Sequence, residues 1–234
     1  MSLPARIVTL LVAFAAVVAG AVFIVVHYIG SSLTVVNYAP QASGGTVNVV
    51  LQEDPQNNSS SKPDWVSYFV QDPKTKAWVH TTLFQVPAGT RVNMTILGYD
   101  GCTPLRNNYF SKVLGTAGGI ASVQQVNGKG VAGPTQIVSK VDSWAGCNVG
   151  HTFAIPGLNL FVPVASPPAT ATLCSTSPCT SGAHAVERFS FYTPKHAGTF
   201  RWQCFIPCGG GFIDGNGGPM QTLGYMMGNM EVSA

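Results

Sequence analysis

Charged residues are few. Asp, Glu, Lys and Arg make up 9% of the 234 residues, against about 25% in an ordinary soluble domain. Twelve Lys and Arg against nine Asp and Glu leave a formal charge of +3, too small and too scattered for a nucleic-acid surface. Solubility then falls to Ser, Thr, Asn, Gln and Gly, which suits either an acidic exterior or a surface covered by partner subunits. Catalytic signatures are missing too: no GxSxG, no HExxH, no conventional zinc spacing and no carboxylate pair in a suggestive strand context. An independent enzyme is therefore not expected. The Gly209–Gly211 run is no phosphate loop, because no helix or Lys-Ser/Thr follows it. Beyond the first thirty residues no segment carries a helical period.

What is present begins with one long hydrophobic run. Ile7 to Ile29 is apolar apart from His27 and Tyr28, and at the helical rise it spans about 34 Å, enough for a bilayer core. It is longer than the core of a signal peptide, so a single uncleaved anchor in the plasma membrane is expected, with the lipid bilayer as one partner. Arg6 precedes the run and the next Lys or Arg is Lys62. This asymmetry predicts a cytoplasmic N-terminus and an extracytoplasmic C-terminal domain. The expected organisation is a tail over 1–6, an anchor over 7–29, a linker over 30–44 and a domain over 45–234.

Within that domain, TVNVVLQ, WVSYFVQ, RVNMTILGY, ERFSFYTP, GTFRWQC and GNMEV alternate apolar and polar residues between Gly, Pro, Asn and Asp. Half-buried strands of a two-sheet sandwich read this way, so the fold class is all-β. Two inserts, at about 101–150 and 166–185, interrupt the pattern as surface additions. The first carries Asn127-Gly128, a hairpin signal. Six cysteines suit an extracytoplasmic domain with disulfides. Cys174 and Cys179 sit in one loop and are expected to pair, and a bridge from Cys102 to Cys147 would pin the first insert. Cys204 and Cys208 remain, as a third disulfide or as metal ligands.

The order of these elements resembles a cupredoxin, a Greek-key β-sandwich, and most closely the copper domain of cytochrome c oxidase or quinol oxidase subunit II. The resemblance rests on VPAGTRVNMTILGYD at 86–100, HTFAIPGLNLFVPV at 151–164, and RWQC with a second cysteine four residues on, followed by MMGNMEV. In that family two thiolates bridge two coppers, with two histidines, a methionine and a backbone carbonyl as terminal ligands. Carried across, the resemblance implies His151, Cys204 and Cys208 as metal ligands, the Ile206 carbonyl, and Met226 with Met220 as its alternative. The second histidine should fall at Phe212 or, counted back from Met226, at Leu223; neither is an imidazole. The binuclear motif is thus degenerate. Three outcomes stay open: copper is lost, as in quinol-oxidising members; one copper binds a modified site; or the thiols form a disulfide. The function implied is a non-catalytic, membrane-anchored subunit II of a haem-copper terminal oxidase, beside a haem-bearing multispan subunit. Its alternatives are a membrane-tethered mononuclear copper carrier and a structural accessory of another membrane complex.

Overall fold

The computed structural model describes residues 3–24, 33–55, 65–102, 105, 107–141, 149–168, 170–208 and 218–234. The chain forms two compact units, Met1–Leu33 and Thr34–Ala234. The first contains helix α1, Leu3–Ile24, whose large apolar side chains between Ile7 and Phe23 are exposed. Among the described residues, no helix is long and apolar enough to cross a membrane. The expected anchor differs from α1 at both ends: the helix begins at Leu3, and residues 25–29 lie outside the described residues.

The second unit is a two-sheet sandwich. One sheet holds β1 (Val36–Asn37), β5 (Leu83–Pro87), β13 (Met227–Ser233), β12 (Gly198–Gln203), β9 (Val149–Ile155) and β10 (Leu160–Ala165), in that spatial order. The other holds β4 (Trp78–Val79), β3 (Ser67–Gln71), β2 (Thr46–Asp54), β6 (Arg91–Gly98), β11 (His184–Tyr192), β7 (Ala121–Val126) and β8 (Ala132–Val138). The expected all-β sandwich is what forms.

Two boundaries shift. The linker expected over 30–44 already contains β1, which pairs in parallel with β5, because Val36 and Tyr38 bury completely at that edge. The first insert is not a loose addition. Asn127 Oδ1 accepts from Lys129 N and Val131 N at 2.9 and 3.0 Å, closing the expected hairpin, and β7 then pairs with β11 as part of the sheet. In the second insert Cys174 and Cys179 are bonded as expected. Cys102 is also disulfide-bonded; its expected partner, Cys147, lies outside the described residues.

Period-2 alternation builds the core. Val47, Val49 and Leu51 of β2 and Val92, Met94 and Ile96 of β6 point inward and are buried, each large side chain stabilising the fold by about 1.5–3 kcal/mol. Trp202 of β12 fills the centre. Its indole N–H donates to the Thr82 carbonyl at 3.1 Å, and its ring meets Tyr68 edge-on at 5.1 Å. Gly228 on the neighbouring strand leaves it that space, since a Cβ there would strike the Thr82 carbonyl and lie 2.7 Å from the indole.

The same alternation carries acids inward. Glu187 of β11 is fully buried. Its Oε2 accepts from Ala165 N at 2.8 Å, where a register shift in β10 frees that N–H, while Oε1 has no hydrogen-bond partner. Asp54, at the end of β2, accepts from Cys179 N at 3.0 Å. Burial lifts Glu187 from 4.5 to about 8 and Asp54 from 3.8 to about 6. A carboxyl whose folded pKa is raised stabilises fully below its unfolded pKa and loses that contribution as pH rises through the folded value. The metal-free chain should therefore lose about 5 °C or more in Tm between pH 5 and pH 8. Calorimetry across that range checks this; a Tm that climbs steadily with pH would contradict it.

Candidate metal centre

Two strands of one sheet and the turn that follows the second meet at an end of the sandwich. β9 delivers His151 as its third residue, Cys204 follows directly on β12, and the turn from Cys204 to Cys208 folds back over both. Backbone bonds fix the register: Gln203 pairs with Ala154, and Cys204 N donates to the Met226 carbonyl at 2.9 Å. His151, Cys204 and Cys208 are all buried.

The donor atoms converge. His151 Nδ1 lies 2.9 Å from Cys208 Sγ and 3.8 Å from Cys204 Sγ, and the sulfurs are 3.0 Å apart. That separation is well beyond the ~2.05 Å of a disulfide. Both cysteines are free, so the disulfide, one of the outcomes left open for them, is not formed here. Between them the Ile206 carbonyl accepts from Cys208 Sγ at 2.7 Å, with Cys204 Sγ at 3.5 Å. Three N–H or O–H groups turn toward Cys204 Sγ: Thr152 N at 3.4 Å, Ile206 N at 3.4 Å and the Thr152 hydroxyl at 3.8 Å. The Thr152 hydroxyl also receives Phe205 N at 2.7 Å, tying the loop to β9.

Electrostatics separate the two thiols. Burial pushes both upward, but for Cys204 the contacts with Cys208 and His151 outweigh it and hold the thiol well below its usual range. For Cys208 burial and the neighbouring Cys204 sulfur together raise it well above. Burial would likewise push His151 down, yet the Cys208 sulfur, Glu53 and the Asp100 hydrogen bond leave it well above the ordinary value. The buried cluster thus shifts its two thiols in opposite directions, Cys204 down and Cys208 up, beside a histidine that is held up.

The opposite ring nitrogen faces the other sheet. His151 Nε2 hydrogen-bonds Asp100 Oδ2 at 3.0 Å, and Glu53 Oε1 is equally close at 3.0 Å. Glu53 Oε1 nevertheless receives no directed hydrogen bond, because one N–H cannot point at two acceptors. Burial lifts Glu53 to about 7 against the pull of His151.

Of the methionines, Met220 brings its sulfur to the loop, where Sδ accepts from Cys208 N at 3.3 Å. Met226 is fully buried and contributes its carbonyl, as noted, to Cys204. Leu223 is 42% exposed and bridges to Met227, so its register offers no ligand. Phe212 lies outside the described residues.

Sequence reasoning finds His151, Cys204, Cys208 and Ile206, and the structure brings these together. It misses Glu53 and Asp100, having seen no carboxylate pair in a suggestive strand. The signal is phase: the inward series 47, 49, 51 of β2 continues to 53, and 92, 94, 96, 98 of β6 continues to 100.

No family model matches the chain, and no curated relative does. Twenty-seven solved chains match. Rusticyanin from Thiobacillus ferrooxidans is 18% identical over 85% of this chain and 82% of its own, with a TM-score of 0.31. The metal-binding domain of the Cu(I)-exporting P-type ATPase CopA of Streptococcus pneumoniae, solved with Cu(I), is 8% identical over 87% and 100%, with a TM-score of 0.31. A histidine-to-methionine variant of rusticyanin is 18% identical over 85% and 82%, with a TM-score of 0.30. The chemistry of the pocket rests on its own donor atoms, not on these overlays.

With both thiols reduced, denaturing the chain in iodoacetamide without reductant should label Cys204 and Cys208 and leave Cys174 and Cys179 unlabelled. Peptide mass mapping reads the result; unlabelled Cys204 and Cys208 would restore the disulfide.

Proposed function

We propose that the chain is a membrane-tethered, cupredoxin-like copper protein acting as the subunit-II-like component of a haem-copper terminal oxidase. The observation that carries this reading is the buried convergence of His151 Nδ1 with the Cys204 and Cys208 sulfurs around the Ile206 carbonyl. Two soft sulfurs and a borderline imidazole suit copper better than hard cations. Copper, when bound, cycles between two oxidation states and so carries single electrons.

The protein's own residues prepare that site. Cys204, held below its usual range by Cys208 and His151, is the more readily deprotonated of the two thiols. The Thr152 and Ile206 N–H groups stabilise charge on its sulfur, and second-sphere contacts of this kind tune a metal's potential. Asp100 orients His151 by holding Nε2–H, which leaves Nδ1 for the metal side. Trp202, Phe153 and Ile206 are buried in the same apolar cluster as Cys204 and Cys208.

A way to the surface runs through Phe205. It stacks parallel to Phe110 with ring centres 6.0 Å apart and packs on Phe161 at 5.7 Å. Tyr109, 44% exposed, meets both Phe110 and Phe161. We assign this face to the redox partner, a haem-bearing multispan subunit. Membrane attachment belongs to the N-terminal unit: α1 carries no acidic residue in its first turn, no basic residue in its last, and exposes a continuous apolar surface. A self-standing carrier is the second reading, favoured by the three-donor His–Cys–Cys set, which suffices for one copper.

The test is purification of the full chain from its own membranes in mild detergent, with copper, haem and spin-resonance spectra measured per chain. Copper that disappears in His151→Ala, together with a stoichiometric haem-bearing partner, is expected. Copper without haem would favour the carrier, and neither copper nor haem would overturn the reading.

A further inference from the structure

The inner face of His151 presents a second ligand set. Glu53 Oε1 and Asp100 Oδ2 each lie 3.0 Å from Nε2, and one oxygen or nitrogen from each of these three residues falls within 4.8 Å of the others. Both carboxylates are positioned by backbone: Asp100 N donates to Glu53 Oε2 at 3.2 Å, and Gly101 N to Asp100 Oδ1 at 2.7 Å. Gly150 lets this turn lie directly on the histidine's own strand, since a Cβ there would sit 3.1 Å from the Gly101 carbonyl. Glu53 is 1% exposed, and its Oε1 points into the cluster with no hydrogen-bond partner. Two acceptors thus converge on a nitrogen that has at most one proton to give. The Asp100 side chain, 25% exposed, opens the cluster to solvent on one side.

We propose that Glu53, Asp100 and His151 Nε2 form a second metal site, for a hard or borderline divalent cation such as Zn(II) or Co(II), back to back with the sulfur site. An imidazole with two carboxylates is a donor set that zinc accepts, with water completing the shell. The cation takes the place of the proton on Nε2 and satisfies both carboxylates at once. The site goes beyond the copper reading and shares with it His151 and Asp100, the carboxylate that orients the ring there.

The test titrates Co(II) into the full chain carrying Cys204→Ser and Cys208→Ser, which removes the soft donors. One Co(II) per chain is expected, with weak visible bands and no sulfur-to-metal charge transfer. Adding Asp100→Asn, or Glu53→Gln, should weaken binding about tenfold or more. No Co(II) bound by a double-serine chain with parental circular dichroism would overturn the proposal, as would affinity unchanged by Asp100→Asn. If the double-serine chain does not fold, the parent chain is filled with Cu(I) and then titrated with Co(II), and the same two outcomes apply. Copper uptake by the parent is measured separately, so failure here leaves the sulfur site standing.

Discussion

The imidazole of His151 is held between two sulfurs on one nitrogen and two carboxylates on the other, with almost no solvent around it. A buried charge of this kind is tolerable only when its partners are fixed, and much of the surrounding fold fixes them. The six-stranded sheet supplies the histidine and the thiols; the seven-stranded sheet supplies Glu53 and, just beyond β6, Asp100. The site is therefore a place where the two layers are joined by polar contacts instead of apolar packing. Gly98 allows that approach: a Cβ there would lie 2.5 Å from the Ala165 carbonyl of the facing sheet.

That constraint explains the distribution of charge. A chain with nine acidic residues buries Glu53, Asp54 and Glu187 completely. Each sits at an inward or terminal strand position and takes a backbone N–H from a neighbouring segment: Asp100, Cys179 and Ala165 respectively. These acids therefore serve as interior fasteners.

Much of this was legible in the residues. Alternation in TVNVV, RVNMTI and ERFSF marks strands because a sheet with one buried face must repeat every two residues. Cys204 and Cys208 four apart, and His151 near the start of its strand, mark the residues that converge. Other features were not legible, for physical reasons. Val36 and Tyr38 look like linker because two-residue edge strands have too little length for a period. β7 and β8 look like decoration because pairing with β11 is a long-range event. Glu53 was missed because an acid at the end of an apolar series is ordinarily taken as the strand's exit to solvent. Here the series continues inward and ends on an imidazole.

The central claim is that His151, Cys204 and Cys208 act together as one soft metal site. It is tested most directly by X-ray absorption at the copper edge on the copper-loaded full chain. The account predicts a first shell dominated by two sulfur scatterers with one imidazole nitrogen, and loss of sulfur scattering in Cys204→Ser together with Cys208→Ser. A shell of nitrogen and oxygen alone in the parent chain would contradict it.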